Sequence, residues 1–299
     1  MPSRTLVLWA WVGAVVVGTS ASAQTKTLYE KTSPYSKISV TEDENGLRTL
    51  RFDNDVRQSV GKVGDPAHLE LPYARVMPVG LAMVDEPKRM LIVGLGGGTI
   101  PSFLHKHYPR SVIDVVDIDP DVVDVAKRFF GFREDPTLRA YVNDGRRFVE
   151  ESRQLYDVIF LDAYGPDNIP YHLATREFLQ AVRRKLTPRG IAVANVWSTH
   201  SNPLYHSMVR TYQEVFDELY VQDVRGAGNR ILVALPWQGR FRVDDLAQRA
   251  RKLARQKNFP FDLEKLVADG CRQLTEKDAE GNVLRDGHEP GKSDRDNRQ

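Results

Sequence analysis

The chain is poor in the residues that build disulfide-linked folds and cysteine-based metal sites. Its 299 residues include a single cysteine, Cys271, which excludes an intrachain disulfide and a cysteine cluster for a metal. A basic stripe with interleaved aromatic side chains is also missing, because 42 lysines and arginines are mixed with 40 aspartates and glutamates. The composition therefore indicates neither a nucleic-acid-binding surface nor a cysteine-based metal site, and it is ordinary for a soluble globular protein.

Long apolar runs are rare, and one lies at the N-terminus. Arg4 precedes the run Leu6–Gly18, and Ala21-Ser22-Ala23 follows it. A positive residue, a short apolar stretch and small residues at a cleavage site are the parts of a secretory signal peptide. The run is shorter than the roughly 20 residues that span a bilayer. We expect cleavage before Gln24 and an exported protein, periplasmic or secreted, without a stable membrane span; an N-terminal membrane anchor is the alternative.

The segment Arg89–Asp119 predicts a nucleoside-binding βαβ unit. The apolar strand Met90–Val93 enters a turn with Gly94, Gly96, Gly97 and Gly98, a helix follows, and the strand Val112–Val116 ends on Asp117. A glycine turn lets a ligand approach the backbone, and an acid after the next strand accepts hydrogen bonds from a ribose diol. The spacing Gly94-x-Gly96-x-Gly98 favours an S-adenosyl ligand over a pyrophosphate.

The rest of the chain alternates between strand-like and helix-like patterns. This alternation predicts an α/β fold, a Rossmann-like doubly wound sheet that is mostly parallel and seven-stranded. The further predicted strands are Arg139–Val142, Asp157–Leu161, Ile191–Val196, Leu219–Val224 and Arg230–Leu235, and the predicted helices are Leu69–Met83, Thr175–Leu186, Leu204–Phe216, Val243–Gln256 and Asp262–Gln273. Ligands bind such sheets at the carboxyl ends of the strands, where Asp117, Asp144 and Asp162 fall.

The patterns divide the chain into five parts. Residues 1–23 are the expected signal peptide, and 24–66 form a small β-hairpin module around the turn Glu44-Asn45-Gly46. Residues 67–240 make the Rossmann-like domain, and 241–285 carry the C-terminal helices. Residues 286–299 contain almost no apolar side chains and are expected to be disordered.

Five short motifs together resemble the spermidine synthases, which are polyamine aminopropyltransferases on the class I methyltransferase fold. They are Tyr35-Ser36-Lys37-Ile38, the Gly94–Gly98 turn, Val116-Asp117-Ile118-Asp119, Asp144-Gly145 and Asp162-Ala163-Tyr164-Gly165-Pro166. The resemblance implies transfer of an aminopropyl group from decarboxylated S-adenosylmethionine, the co-substrate, to a small-molecule amine. A homodimer is a further expectation for this chain.

The resemblance assigns roles to individual side chains. Asp117 would bind the ribose hydroxyls, Asp144 would accept from the adenine amino group, and the glycine turn would face the amino-acid or aminopropyl end. Ile118 and Gly145 are further expected co-substrate-binding residues. Asp162 would deprotonate the attacking amine, assisted by Tyr164 and by Tyr73 in the amine channel. Asp144 and Asp162 have an alternative role as helix caps.

The amine half of the motif set departs from the family. Acids of the family fall here on Gly97, Gly165 and Arg75, and its hairpin glutamine falls on Ser36. A dicationic amine needs carboxylates at both ends to offset desolvation, so we expect an altered acceptor, with Asp167 as a partial substitute. Methyl transfer from S-adenosylmethionine is the alternative, because Gly97 and Arg75 suit the carboxylate of that co-substrate. A catalytically silent adenosyl-binding protein is the third.

The signal-peptide prediction is open to a direct measurement. Intact-mass spectrometry of the protein purified from its native host should find residues 1–23 missing and Gln24 at the N-terminus. An intact N-terminus recovered from the membrane fraction would contradict cleavage and favour the anchor.

Overall fold

The computed structural model describes residues 25–53, 56–165 and 168–289, which form two sheets and their covering helices. The expected signal peptide lies outside the described residues. The first sheet is an antiparallel meander of four strands, in the order β1-β2-β3-β4. They are β1 (Lys26–Thr32), β2 (Lys37–Glu42), β3 (Leu47–Phe52) and β4 (Arg57–Lys62). The predicted hairpin strands are present, and β1, which has no clear alternation, is an addition.

The second sheet carries the α/β fold, and in the described residues it has eight strands where the alternation predicts seven. They are β5 (Arg89–Val93), β6 (Val112–Asp117), β7 (Leu138–Val142), β8 (Tyr156–Leu161), β9 (Leu186–Trp197), β10 (Glu218–Asp223), β11 (Asn229–Leu235) and β12 (Cys271–Gln273). The order is β12-β10-β11-β9-β8-β5-β6-β7. The short strand β12 pairs antiparallel with β10 and extends the predicted sheet.

Strand order creates a crevice beside the central strand. The chain passes from β5 to β6 and β7 on one side, then returns through β8 and β9 on the other, with all four pairings parallel. The direction of winding therefore reverses between β5 and β8. Ligands bind open α/β sheets at such a switch point, outside the carboxyl ends of the strands.

Helices cover both faces of this sheet. They are α1 (Pro72–Val76), α2 (Thr99–His107), α3 (Pro120–Phe129), α4 (Gly145–Glu151), α5 (Arg176–Arg184), α6 (Tyr205–Val215), α7 (Val243–Lys257) and α8 (Leu263–Gly270). Alternate residues of each strand face opposite layers: Ile92 packs with the layer that contains α2 and α7, and Val93 with the layer of α5 and α6. The central strands are consequently apolar on both faces.

Two predicted helices are wrong in extent. The predicted helix Leu69–Met83 consists of the short α1 followed by a 3-10 helix, Met77–Met83. Pro78 lacks the N–H that an α-helix would use, and Gly80 packs so tightly that a Cβ there would lie 2.5 Å from Val193. The predicted helix Asp262–Gln273 ends at Gly270, where the chain becomes strand β12.

The C-terminal segment returns to the α5–α6 side of the sheet. Leu284 is 4% exposed and packs with that layer, and the carboxylate of Asp286 forms an ion pair of 2.6 Å with Arg146. The packed structure thus includes Asp286, which the composition places in the tail. Across the described ranges, no helix combines the length and the apolarity needed to cross a membrane.

The small sheet docks on α3 and on the loop before it. Ile38, Val40 and Leu50 pack with Val122 and Val125 of the helix. Asp119 caps the helix, because one carboxylate oxygen accepts from the Asp121 N–H at 2.9 Å and the other accepts from Ser33 Oγ at 2.5 Å. One side chain therefore links the small sheet to the nucleoside-type βαβ unit.

This linking role predicts the effect of Asp119→Ala on stability. The variant loses an N-cap and a buried hydrogen bond, so the free energy of unfolding should fall by about 1–2 kcal/mol in a urea titration. The control is Asp121→Ala, which removes an ion pair with the half-exposed Lys31 and should lower the free energy of unfolding by less than Asp119→Ala does. Equal losses for both variants would contradict the assigned role.

Candidate active site

A cavity of about 360 Å³ opens at the switch point between β5 and β8. We call it the first cavity. It brings together nine of the ten predicted site residues, namely Tyr73, Gly94, Gly96, Asp117, Ile118, Asp144, Gly145, Asp162 and Tyr164. Gly98 does not line it. With φ at 72°, Gly98 is the N-cap residue of α2, and a Cβ there would lie 2.8 Å from the Phe132 ring, so its role is to let the turn close.

The glycine turn determines how closely the two central strands approach. Gly94 has φ at 99°, and a Cβ on it would lie 2.4 Å from the backbone oxygen of Asp162. Any side chain at Gly94 would therefore push the end of β8 away from the end of β5. The glycine that the motif requires for a ligand also positions Asp162.

Asp117 supports the turn as well as facing the cavity. Its carboxylate accepts from the Leu95 N–H at 2.8 Å and from the Asp119 N–H at 3.0 Å. Burial raises the pKa of Asp117, while these N–H donors act in the opposite direction. A ribose diol would add to an acceptor that the backbone already orients.

Asp144 combines the two roles that the sequence leaves open. Its carboxylate caps α4 by accepting from the Arg147 N–H at 2.9 Å, and its other oxygen lies 2.9 Å from Nε2 of His172. Burial opposes ionisation of this carboxyl group, but the Arg147 N–H and His172 outweigh it and lower the pKa. Asp144 therefore remains an anionic acceptor at the cavity wall. His172 lines the same wall.

Asp162 is the carboxylate with the most altered acidity. It caps no helix; its Oδ1 accepts from Nδ2 of Asn195 at 2.8 Å, and its Oδ2 accepts from the Tyr73 hydroxyl at 3.4 Å. Its remaining exposed surface faces the first cavity. Burial raises the pKa of Asp162 to about 7, and the two donors limit the rise. This carboxyl group can exchange a proton near neutral pH.

Asn195 is the site residue that sequence reasoning misses. It is 2% exposed on β9, and its Oδ1 accepts from Nδ2 of Asn229 at 2.9 Å, which orients its amide nitrogen toward Asp162. The only signal in the sequence is a polar residue inside the apolar strand Ile191–Val196. Buried amides are hydrogen-bonded, so such a residue indicates a partner, but not which one.

A second cavity, of about 420 Å³, adjoins the first. Gln58, Tyr73 and Tyr164 line both cavities, whereas Asp162 lines only the first. The other described residues that line the second cavity are Val56, Arg57, Leu71, Pro72, Asn195, Trp197, Ser201, Gly226, Ala227, Gly228 and Asn229. Asp162 therefore lies where the two cavities meet. It is hydrogen-bonded to Tyr73, which lines both cavities, and to Asn195, which lines the second.

The two tyrosines act differently on this junction. Tyr73 reaches Asp162, and burial next to that carboxylate raises the pKa of its hydroxyl. Tyr164 donates instead to the backbone oxygen of Asn195 at 3.0 Å, and its ring stacks on Trp197 with centroids 5.3 Å apart. Tyr164 and Asp162 thus line the same cavity, but the Tyr164 hydroxyl bonds to Asn195 and not to Asp162.

The residues that replace the family acids have distinct surroundings. A Cβ at Gly97 would lie 2.7 Å from Ser59 Oγ and 2.9 Å from the Phe130 ring, so the space for an acid there is filled. Ser36 and Gly165 line the first cavity. Asp167 lies outside the described residues.

Arg75 does not face the site. Its Nε donates to the Leu69 backbone oxygen at 2.5 Å, and its NH2 lies 3.4 Å from the Glu70 carboxylate. It lines neither of the two cavities. The expectation that Arg75 suits an anionic co-substrate is therefore wrong, because these bonds turn its guanidinium away.

Comparisons with known proteins agree with the geometry. The Vibrio vulnificus polyamine aminopropyltransferase is 36% identical over 220 residues, which cover 71% of this chain and 73% of that protein. Human eEF1A lysine and N-terminal methyltransferase is 31% identical over 226 residues, which cover 69% of this chain but 32% of that protein.

Two solved structures share the fold. A probable spermidine synthase from Corynebacterium glutamicum superposes with a TM-score of 0.69 at 21% identity, over 89% of this chain and 98% of that one. Human methyltransferase-like protein 13, in complex with SAH, gives 0.59 at 31% identity, over 64% of this chain and 95% of that one. The family model for the spermine/spermidine synthase domain matches residues 72–240. The chain belongs to the spermine/spermidine synthase family.

Proposed function

We propose that this protein transfers an aminopropyl group from decarboxylated S-adenosylmethionine to a small amine. The observation that carries the proposal is Asp162, a carboxylate with a pKa raised to about 7 at the junction of two cavities. A donor in the first cavity and an amine in the second would meet beside it. The relationship to polyamine aminopropyltransferases supports the same reaction.

The first cavity fits an adenosyl co-substrate. Asp117 and Asp144 offer anionic acceptors at the ends of neighbouring strands, one for a ribose diol and one for an exocyclic amino group. The amide nitrogen of Gln58 is buried without a hydrogen-bond partner among the described residues, and Gln58 lines both cavities. Buried donors are rarely left unsatisfied, so this nitrogen is open to an acceptor atom, of water or of a group bound in either cavity.

The chain's own residues would perform the proton transfer and the positioning. The amine lone pair attacks the aminopropyl carbon attached to sulfur, the new C–N bond forms as the C–S bond breaks, and that electron pair stays on the sulfur of methylthioadenosine. The amine nitrogen loses one proton, which Asp162 accepts. Because the sulfonium is already a good leaving group, most of the catalysis consists of orientation and of keeping the nitrogen unprotonated.

Methyl transfer is not favoured. S-adenosylmethionine carries a carboxylate that an arginine in the site could bind, but Arg75 does not line the first cavity and is bonded to Leu69 instead. The methyltransferase relative also matches over a smaller share of its length than the aminopropyltransferase relative.

Export is a further part of the proposal, supported by Arg4, the run Leu6–Gly18 and Ala21-Ser22-Ala23.

The co-substrate can be tested with the purified protein. Incubation with decarboxylated S-adenosylmethionine and a panel of primary amines should yield methylthioadenosine and an aminopropylated amine, both measured by mass spectrometry. S-adenosylmethionine in its place should yield no methylated amine. A methylated product without any aminopropylated one would overturn the proposal.

The acid–base role of Asp162 predicts a pH profile. Below about pH 7 the carboxyl group is protonated and cannot accept a proton, so kcat should rise with pH through an inflection near 7. Asp162→Asn should lower kcat by about 10²–10⁴-fold and remove that inflection. A wild-type profile that is flat between pH 5 and 9 is the result that contradicts the role.

The same profile tests Asn195 as a positioning residue. Asn195→Ala removes a donor that stabilises the ionised carboxylate, so the inflection should move to higher pH by about one unit. Asn229→Ala removes only the donor to Asn195 and should move it less. An unchanged inflection in Asn195→Ala would show that this amide does not act on Asp162.

A further inference from the structure

The second cavity differs in charge from the first. Four aspartates, Asp117, Asp119, Asp144 and Asp162, line the first cavity. The described residues around the second cavity include no carboxylate, and among them Arg57 alone carries a charge. Among the described residues of this cavity, a second ammonium group would meet a positive charge and no anionic partner.

Arg57 is the charged residue among the described residues of the second cavity. It is the first residue of β4, its side chain is exposed, and it forms no ion pair with any other described residue. It does not line the first cavity, just as Asp162 does not line the second. The positive guanidinium and the carboxylate at the junction therefore line different cavities, which share Gln58, Tyr73 and Tyr164.

The other residues of the second cavity suit a short apolar chain that ends in a hydrogen-bond acceptor. Leu71, Pro72 and the stacked rings of Tyr164 and Trp197 offer apolar walls. The unsatisfied amide nitrogen of Gln58 can donate to an oxygen, and it has nothing to offer an ammonium group, which is itself a donor.

We infer that the acceptor is an amine with an anionic far end, such as an ω-amino carboxylate, and that Arg57 determines this specificity. The inference rests on the proposed function, because the amino group must be the nucleophile at Asp162. The near end of the substrate loses its proton to Asp162, and the far carboxylate pairs with the guanidinium. Diamines, which carry two cations, are then poor acceptors.

Three acceptors of matched chain length test the inference. They are 4-aminobutyrate, butylamine and putrescine, whose far ends are anionic, neutral and cationic. With decarboxylated S-adenosylmethionine, kcat/KM should be highest for 4-aminobutyrate and lowest for putrescine. Arg57→Gln should lower kcat/KM for 4-aminobutyrate about fivefold, as expected for an exposed ion pair, and leave butylamine unchanged.

Arg75→Gln is the matched control, because it removes the same charge from an arginine that lines neither cavity. It should leave the ranking of the three acceptors unchanged. Putrescine as the best acceptor, or a preference for 4-aminobutyrate that survives Arg57→Gln, would overturn the inference and leave the proposed function intact.

Binding measurements separate failure of the inference from failure of the proposed function. Calorimetry on the enzyme saturated with methylthioadenosine should show tighter binding of 4-aminobutyrate than of putrescine, with the difference lost in Arg57→Gln. If no amine is turned over but this pattern holds, the proposed reaction is wrong and the assignment of the cavity stands. Equal binding of both amines would overturn the assignment.

Discussion

The partial burial of the Asp162 carboxylate is the constraint on which the site depends. It lies at the carboxyl end of β8, against the turn at Gly94, where no other residue type would let the two strands approach as closely. Asn195 and Tyr73 donate to its two oxygens, and each also lines the second cavity. The same contacts that enclose the carboxylate therefore connect it to the place where an acceptor would bind.

Burial of the Asp162 carboxylate lowers the free energy of unfolding near neutral pH, where this group can exchange a proton. The pKa of Asp162 is raised from 3.8 to about 7, so the folded state holds the proton more tightly than the unfolded chain does. The stability that the folded protein gains from the protonated Asp162 carboxyl group is fully present below about pH 3.8. It is lost as the pH rises through about 7. The hydrogen bonds from Asn195 and Tyr73 reduce the loss, which explains why a buried amide is held in position by a second one, Asn229.

The sequence predicts the fold and most of the site because both depend on local signals. Apolar runs that end on Asp117, Asp144 and Asp162 identify strand ends, and the carboxyl ends of parallel strands meet at one edge of a sheet. The three-residue strand β12 has no such signal, because its pairing depends on a partner about 50 residues away. Asn195 has none either, since a single amide within an apolar strand does not specify its partner.

The misplaced expectations also have physical reasons. Motif alignment puts Arg75 near the amine, but the structure bonds its guanidinium to Leu69 and Glu70. A glycine at position 97 in place of an acid suggests free space for a ligand, but the ring of Phe130, which is distant in the chain, occupies that space. Both outcomes depend on side chains that no local pattern connects.

The most direct measurement of the central claim is the acidity of Asp162 itself. Carbon-13 NMR of the side-chain carboxyl groups, with Asp162→Asn used to assign the signal, would follow its titration in the wild-type protein. We expect a midpoint near 7, because burial raises the pKa and the donors Asn195 and Tyr73 only partly offset it. A midpoint near 4, the value of an ordinary solvated aspartate, would contradict it.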